Sequence, residues 1–313
     1  MKILVVASYN KGRFAPFIVE QGAALQAAGC KVEWFGVTRH GIRGYLHQLA
    51  ALRRKIVEVQ PDIIHAHYGL SGLLACLQRR VPVVTTYHGS DINNPHVRPF
   101  SRLAMCLSVR NIFVSRATML LAHPAASKAL LLPCGIDVCA MPLTSQDLAR
   151  SQMGLRLDKR YVLFAGAFGN HVKNAPLAED AMSVLKEGGA DAELLELKGY
   201  SRNEVSLLMC AADVLLLTSF TEGSPQVVKE AMTCGCPVVS VDVGDVRERT
   251  AGVEGCYVAE TREPQELAAL LCKALAFSGR TQGREKILAD GLDNRQVAQR
   301  LIELYTQILA KDK

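Results

Sequence analysis

The sequence predicts an α/β protein of two domains, each with a parallel sheet covered by helices on both faces. Three observations lead to this prediction: short β-branched runs alternate with helix-length segments along all 313 residues, one strand–loop–helix–strand pattern occurs twice, and the two halves differ in charge. Residues 1–140 contain 16 Lys and Arg against 6 Asp and Glu, whereas residues 141–313 contain 20 against 24. The formal net charge of +6 therefore divides into +10 and −4, which indicates two domains with different partners.

Nine short apolar runs are predicted to be strands. Runs that are apolar throughout and separated by helices are typical of parallel sheets that are buried on both faces. In such sheets, ligands bind at the carboxyl ends of the strands. The predicted strands are Lys2–Ala7, Lys31–Phe35, Asp62–His65, Val81–Thr86, Asn111–Val114, Tyr161–Ala165, Glu193–Leu197, Val214–Thr218 and Val238–Val241.

The internal repeat relates the two halves. In the first half, Asp-Ile-Ile at 62–64 leads through a loop and a helix to Pro-Val-Val-Thr at 82–85 and then to Gly89. In the second half, Asp-Val-Leu at 213–215 leads to Pro-Val-Val-Ser at 237–240 and then to Gly244. The matching order predicts duplicated Rossmann-like halves.

The domain limits follow from the repeat and from a polar stretch. We expect a first domain over residues 1–140 and a second over 141–294, with the linker in the polar, Pro142-containing segment Met141–Lys159. Residues 295–313 are predicted to form a terminal helix, because apolar side chains recur at helical spacing over Arg295–Ala310.

Composition excludes several classes of protein. A hydrophobic fraction of 49% with 21% charged residues excludes a disordered chain. The first apolar run, Ile3–Ala7, is too short for a signal-peptide core, and no uncharged apolar run approaches membrane-spanning length. Ten cysteines without a C-x-x-C pair predict reduced thiols and a cytoplasmic protein. The basic clusters 53–55 and 79–80 lack interleaved aromatic residues, so no nucleic-acid partner is predicted.

The segment 218–231 carries the strongest chemical signal. It follows a predicted buried strand, with Ser224 as the predicted N-cap of a helix and Pro225 at its first position. A helix that starts at the carboxyl end of a strand presents backbone N–H groups and suits an anion such as phosphate. Glu222 and Glu230 flank this terminus and suit the hydroxyls of a sugar or ribose. The pattern thus fits a sugar joined to phosphates, although a capped surface helix with two solvated acids would have the same residues.

The spacing of Glu222 and Glu230 resembles the E-x7-E motif of glycosyltransferase family 4, the retaining glycosyltransferases of the GT-B fold. That resemblance implies two Rossmann-like domains whose parallel sheets face each other across a cleft, with the terminal helix at 295–313 crossing back to the first domain. It also implies transfer from a nucleotide-diphosphate sugar with retention of configuration, the first domain binding the acceptor and the second the donor. Further segments that match the family in order are Phe17–Gln21, Pro61–His67, His88–Asp91, Pro133–Asp137, Ala231–Val239 and Val243–Glu248.

The resemblance also assigns roles to individual residues. It implies that Glu230 binds the nucleotide ribose, that Glu222 contacts the donor sugar or its reacting face, and that Lys173 contacts the diphosphate. Glu222 and Lys173 are both expected to take part in catalysis. In the first domain it implies that His88 takes part in catalysis and that Asp91 lies on the acceptor side. The remaining residues implied in donor binding are Gly12, Gly223, Ser224, Pro225 and Gln226.

The sequence departs from the family near Lys173. Many members carry an arginine a few residues before this lysine, whereas this chain has Gly169, Asn170 and His171 there. Either His171 or a residue of the first half assists the diphosphate, or donor binding depends more on backbone amides. No D-x-D sequence is placed at a strand end, so we expect no metal and no cofactor.

Three other functions stay open. A metal-dependent hydrolase is conceivable, because His65 and His67 would point to one face of a strand, with His88 and Asp91 after the next. A sugar-nucleotide epimerase of the same fold and a non-catalytic sugar-nucleotide binder are the other two.

The basic first half predicts the kind of acceptor. A charge of +10 suits an anionic acceptor, such as a lipid-linked sugar at an anionic membrane surface. We also expect a role in polysaccharide or glycolipid biosynthesis, with peripheral binding to the inner face of the membrane.

Overall fold

The computed structural model describes residues 1–9 and 11–311, which form two compact units. Unit 1 consists of Met1–Gly135 together with the segment from Leu292 onward, and unit 2 consists of Ile136–Gly291. The sequence predicted domain boundaries after residues 140 and 294, whereas the structure passes from one unit to the other after Gly135 and Gly291. Asp312 and Lys313, at the end of the predicted terminal segment, lie outside the described residues.

Unit 1 contains a six-stranded parallel sheet in the order β2-β1-β3-β4-β5-β6. Its strands are β1 (Lys2–Ser8), β2 (Lys31–Val37), β3 (Ile63–His67), β4 (Val83–Tyr87), β5 (Arg110–Phe113) and β6 (Ala129–Leu131). Its helices are α1 (Pro16–Ala27), α2 (Gly41–Leu46), α3 (Leu49–Val59), α4 (Gly69–Cys76), α5 (Ser90–Asn93), α6 (Arg98–Leu107), α7 (Arg116–Ala122) and the terminal helix α15 (Asn294–Lys311).

Two apolar layers enclose this sheet. On one side, α1 and α15 bury Ile18 and Leu301 against Ile3 of β1. A second cluster joins α3 and α4 to the sheet through Leu52 and Leu74. The terminal helix thus belongs to unit 1, and the stripe that predicted it is buried: Val297, Leu301, Leu304, Tyr305 and Ile308.

Unit 2 contains a five-stranded parallel sheet in the order β11-β10-β9-β7-β8. Its strands are β7 (Arg160–Phe164), β8 (Ala192–Glu196), β9 (Val214–Leu217), β10 (Val238–Val241) and β11 (Tyr257–Ala259). Its helices are α8 (Gln146–Met153), α9 (Ala175–Glu187), α10 (Arg202–Ala211), α11 (Gln226–Thr233), α12 (Val246–Thr250), α13 (Pro264–Ala276) and α14 (Gly283–Ala289).

The structure confirms the predicted α/β class and all nine predicted strands, and it corrects two details. The three-residue strands β6 and β11 were not predicted. The linker prediction for Met141–Lys159 was wrong over Gln146–Met153, because that segment is α8 and is anchored in unit 2. Arg150 of α8 is buried and forms an ion pair with buried Asp213, with 2.8 Å between Nη2 and Oδ2.

Each sheet has a position where the chain order reverses, which is where open α/β sheets bind ligands. In unit 1, β1 lies between β2 and β3, so the reversal falls at the carboxyl ends of β1 and β3. In unit 2, β7 lies between β8 and β9, so the reversal falls at the carboxyl ends of β7 and β9. Among the described residues, no helix is both long and apolar enough to cross a membrane.

Candidate functional site

Lys173 and Glu222 meet at the reversal point of the unit 2 sheet. Lys173 lies in the loop after β7, Glu222 lies in the loop after β9, and Lys173 Nζ donates to Glu222 Oε1 over 2.7 Å. Ser219 Oγ donates to the same carboxylate oxygen over 2.8 Å. Both charged side chains are largely but not fully buried. The structure therefore places an ammonium and a carboxylate together where the fold class places its ligands.

The loops that carry this ion pair are tied to each other. Thr218 Oγ1 donates to the carbonyl oxygens of Lys173 and Asn174, each over 2.9 Å. The backbone N–H of Phe220 donates to the carbonyl of Val172 over 2.9 Å. Gly166 lets the lysine cross the loop, because a Cβ at Gly166 would lie 2.9 Å from Lys173 Cγ. The position of the ammonium is thus fixed by both loops.

Glu230 forms an ion pair with Arg202, between Oε1 and Nη1. Arg202 is the first residue of α10, at the carboxyl end of β8. Ser201 and Glu204 form a capping box that fixes this helix start. Sequence reasoning missed Arg202, although the Ser-x-x-Glu capping pattern at 201–204 was a usable signal for a helix beginning there.

The prediction that Ser224 caps the helix after β9 was wrong. The helix α11 begins at Gln226, its N-cap is Pro225, and no side chain caps it. Ser224 Oγ instead donates to Asp245 Oδ2 over 2.9 Å. The positive end of the α11 dipole still lies beside Gly223, as an anion site of this type requires.

The loop after β10 packs against the segment 222–225. A Cβ at Gly244 would lie 2.6 Å from the carbonyl oxygen of Gly223, so the two backbones are in close contact. Asp245 is 5% exposed, and burial raises the pKa of its carboxyl group against the opposing effects of Lys229, Arg249 and Ser224. The buried Lys229 and Arg249 therefore help to keep the Asp245 carboxylate charged beneath Ser224.

His88, predicted to be catalytic, lies in unit 1 and uses both ring nitrogens within that unit. Its Nε2 lies 3.0 Å from Nδ1 of His67, and its Nδ1 lies 3.7 Å from Sγ of Cys134. Burial, with smaller effects of His65 and His88, lowers the pKa of His67, which favours the neutral form of its ring. A hydrogen bond from His88 to a sugar hydroxyl would have to replace one of these two contacts.

His65 and His67, the pair on which the metal-dependent hydrolase hypothesis rests, contact other side chains of unit 1. The rings of His65 and His67 stack 4.4 Å apart, so both lie on one strand face as predicted. His65 Nε2 bonds Thr86 Oγ1 at 2.7 Å, and its Nδ1 bonds the Tyr305 hydroxyl at 2.6 Å. Burial lowers the pKa of His65 to about 3. Within residues 1–9 and 11–311, no three His, Cys, Asp or Glu side chains are grouped to hold a metal ion.

Asp91, predicted on the acceptor side, binds backbone amides. Its Oδ2 accepts from the N–H of Gly69 over 2.9 Å, and its Oδ1 accepts from the N–H groups of His88 and Gly89 over 3.1 and 3.0 Å. Burial raises the pKa of this carboxyl group to about 6, although the amides act in the opposite direction. Asp91 therefore joins the loop after β4 to the start of α4.

The predicted site residues fall into two groups. Gly12, His88 and Asp91 belong to unit 1, and Gly12 is exposed with a φ of 71°. Unit 2 holds Lys173, Glu222, Gly223, Ser224, Pro225, Gln226 and Glu230, brought together around the carboxyl ends of β7 and β9.

Family comparisons match most of the chain. The model described as Glycosyltransferase Family 4 matches residues 16–138, and the model described as Glycosyl transferases group 1 matches residues 159–276. The fold is that of the GT-B class. The chain belongs to glycosyltransferase family 4.

Individual proteins are also similar to this chain in sequence or in fold. TuaC of Bacillus subtilis, named as a teichuronic acid biosynthesis glycosyltransferase, is 29% identical over 60% of this chain and 55% of its own length. This chain thus spans little more than half of that relative. Sucrose-phosphate synthase from Thermosynechococcus elongatus has a TM-score of 0.82 at 17% identity, over 99% of this chain and 100% of its own. Anabaena HepE in complex with UDP and glucose has a TM-score of 0.76 at 19% identity, over 98% and 100%.

Proposed function

We propose that this protein is a retaining glycosyltransferase that moves a sugar from a nucleotide-diphosphate sugar to an acceptor hydroxyl. The observation that carries the proposal is the pairing of Lys173 with Glu222 at the reversal point of the unit 2 sheet. Glu230 lies in the helix that starts beside them, and all three residues fall within the matched range 159–276. A cation, a helix terminus and two carboxylates together suit phosphates joined to a sugar and a ribose.

In the proposed reaction, the bond between the anomeric carbon and the donor phosphate oxygen breaks, and its electron pair goes to that oxygen. The ammonium of Lys173 and the N-terminus of α11 stabilise the charge that develops on the diphosphate. The acceptor hydroxyl attacks the anomeric carbon from the face that the diphosphate leaves, and its proton passes to a diphosphate oxygen. Glu222, bonded to Lys173 and Ser219, orients the lysine and contacts the donor sugar.

Similar proteins suggest the class of donor and the class of acceptor. The donor is proposed to be a nucleotide-diphosphate sugar, which HepE supports as a protein of the same fold in complex with UDP and glucose. The acceptor is proposed to be a sugar or lipid-linked sugar of polysaccharide or glycolipid biosynthesis, in keeping with the biosynthetic name of TuaC. We further propose that no metal ion and no cofactor takes part.

The test is donor turnover without a known acceptor. Purified protein is incubated with UDP-, GDP- and ADP-sugars, with and without EDTA, and released nucleoside diphosphate and the anomer of the free sugar are followed by NMR. The expected result is slow release from one donor, unaffected by EDTA, with the sugar first appearing in the donor's anomeric configuration. Interconversion of the nucleotide sugar would instead identify an epimerase, and binding without any conversion would identify a non-catalytic binder.

A further inference from the structure

Ser224 connects the loop after β9 to the loop after β10. It lies between Glu222 and the start of α11 at Gln226, and it is only partly buried. Its Oγ donates to Oδ2 of Asp245 over 2.9 Å. Ser224 therefore belongs to the segment that holds the proposed donor residues, while its side chain is anchored by Asp245, a residue to which the sequence assigned no role of its own.

Asp245 is held as a carboxylate in the interior of unit 2. Its Oδ2 also lies 3.3 Å from Nε of Arg249, and the two side chains are 2% and 9% exposed. Arginine stays charged in proteins, and a buried charge needs an opposite charge beside it. Burial raises the pKa of Asp245, whereas Arg249 and the fully buried Lys229 act in the opposite direction. Because a carboxylate has no proton to give, Ser224 supplies the hydrogen of the bond between them.

This bond determines what the Ser224 hydroxyl can offer to a ligand. A hydroxyl has one hydrogen and two lone pairs, and here the hydrogen is already used on Asp245. The lone pairs can accept from a hydroxyl or an N–H group, but they repel the oxygens of a diphosphate, which have no hydrogen at neutral pH. The side chain of Ser224 thus has the opposite preference to the backbone N–H groups at the start of α11, which suit an anion.

The sheet order places Ser224 at one end of the proposed donor site. The loops at the carboxyl ends of β10, β9, β7 and β8 carry, in that order across the sheet, Asp245, Glu222, Lys173 and Arg202. In the proposed function Lys173 binds the diphosphate, and Glu230, which is paired with Arg202, binds the ribose. The sugar of the donor then lies on the side of β9 and β10, where Ser224 is anchored.

We propose that Asp245 is a positioning residue that makes Ser224 a hydrogen-bond acceptor, and that the sugar of the donor is recognised there through a hydroxyl or an amide N–H. This inference rests on the proposed function, because it states which kind of group on the transferred sugar the same site selects. A donor whose sugar lacks a hydrogen-bond donor at that position binds more weakly.

The first experiment separates the sugar from the diphosphate. The probes are the nucleotide sugar that turns over in the screen of UDP-, GDP- and ADP-sugars and the nucleoside diphosphate that it releases, each titrated calorimetrically into the full chain. Ser224→Ala should weaken binding of the nucleotide sugar by about fivefold or more and leave binding of the nucleoside diphosphate unchanged. Ser224→Thr, which keeps the hydroxyl, should restore most of the affinity.

Ser183→Ala is the matched control, because Ser183 is an exposed serine on α9. It should bind both probes as the wild type does. An equal loss for both probes in Ser224→Ala would assign Ser224 to the phosphates and overturn the proposal, and so would no loss for either. Failure of the proposed function would appear differently, as a wild type that binds no nucleoside diphosphate and turns over no nucleotide sugar.

The second experiment tests the direction of the hydrogen bond. The probes are donor analogues in which one sugar hydroxyl, or the amide where the sugar has one, is replaced by fluorine, which cannot donate a hydrogen bond. One analogue should bind the wild type about as weakly as the intact donor binds Ser224→Ala, and Ser224→Ala should bind that analogue and the donor equally. In Asp245→Asn the new amide can donate to Ser224 and free its hydrogen, so this variant should no longer distinguish the two.

A wild type that binds every analogue like the donor would contradict the proposal. Discrimination that persists undiminished in Asp245→Asn would remove Asp245 from the account and would equally contradict it. If Asp245→Asn does not fold, the analogues with the wild type and Ser224→Ala decide whether Ser224 accepts from the sugar.

Discussion

At the scale of single residues, two side chains of opposite charge, Lys173 and Glu222, meet in unit 2. Lys173 and Glu222 were each predicted from motifs that lie about fifty positions apart, with separate roles on the diphosphate and the sugar. The structure adds that they form one ion pair, 2.7 Å long. That pairing depends on β7 and β9 being neighbours in the sheet, and no local pattern contains that information.

The first prediction concerns Lys173. Lys173→Ala should lower the turnover number by about 100-fold or more, because it removes a cation from the position where charge develops on the leaving group. The rate of nucleoside diphosphate release at saturating donor measures this effect. Lys273→Ala, which changes an exposed lysine on α13, is the control and should turn over like the wild type. An unchanged rate in Lys173→Ala would remove the lysine from the mechanism.

The second prediction concerns Asp91 and pH. Burial raises the pKa of Asp91 in the folded protein to about 6, from 3.8 in an unfolded chain, so the folded state binds the proton more tightly. The stabilisation from this proton is complete below pH 3.8 and is lost as pH rises through about 6. The free energy of unfolding of the wild type minus that of Asp91→Asn should therefore decrease between pH 5 and pH 6.5, then level off.

Urea unfolding of both proteins at several pH values measures that difference. A difference that stays constant over this range would show that Asp91 titrates no differently in the folded and unfolded states.

At the scale of elements, long runs with a clear apolar pattern could be predicted from the sequence, whereas very short strands could not. The stripe of α15 and the nine apolar strands were read directly, whereas β6 and β11 have three residues each and carry no period. The segment that forms α8 is polar because its contact with the rest of unit 2 depends on a buried ion pair, Arg150 with Asp213, rather than on an apolar face. Arg202 was missed for a related reason: it reaches Glu230 across helices α10 and α11, a contact that only the fold creates.

The third prediction concerns the terminal helix α15. Tyr305→Phe should lower the free energy of unfolding by about 1–3 kcal/mol, because Nδ1 of buried His65 loses its hydrogen-bond partner. Thr306→Ala, on the exposed face of the same helix, should change stability little. Truncation after Asn294 should unfold unit 1, since it uncovers Ile3, Val5 and Ile18. A fully active truncated chain would refute the structural role of α15.

At the scale of the whole molecule, the division of charge follows the division into units. The sequence placed the change in sign near residue 140, and the structure ends the first continuous part of unit 1 at Gly135. Apart from Gly12, the residues predicted to bind the donor lie in the acidic half, so donor binding there has to depend on local groups such as Lys173 and the start of α11. Net charge therefore does not locate the donor site, which depends on individual contacts.

The fourth prediction concerns a membrane partner for the basic half. If unit 1 meets an anionic surface, the protein should bind vesicles that contain anionic lipid at low salt and dissociate as salt increases, at about 1 kcal/mol for each basic residue near the surface. Vesicle co-sedimentation measures this, with neutral-lipid vesicles as the control. Equal behaviour with both kinds of vesicle would remove the membrane from the account.

The central claim is that the carboxyl ends of β7 and β9 bind a nucleotide sugar, with Glu230 on the ribose. Calorimetric titration of the wild type, Glu230→Gln and the control Glu179→Gln with the donor that turns over tests it most directly. Glu179 lies exposed on α9, so its variant should bind the donor like the wild type. The account predicts that Glu230→Gln weakens donor binding by about tenfold or more, the loss expected for a hydrogen bond to a charged group. Donor affinity that is the same in all three proteins would contradict it.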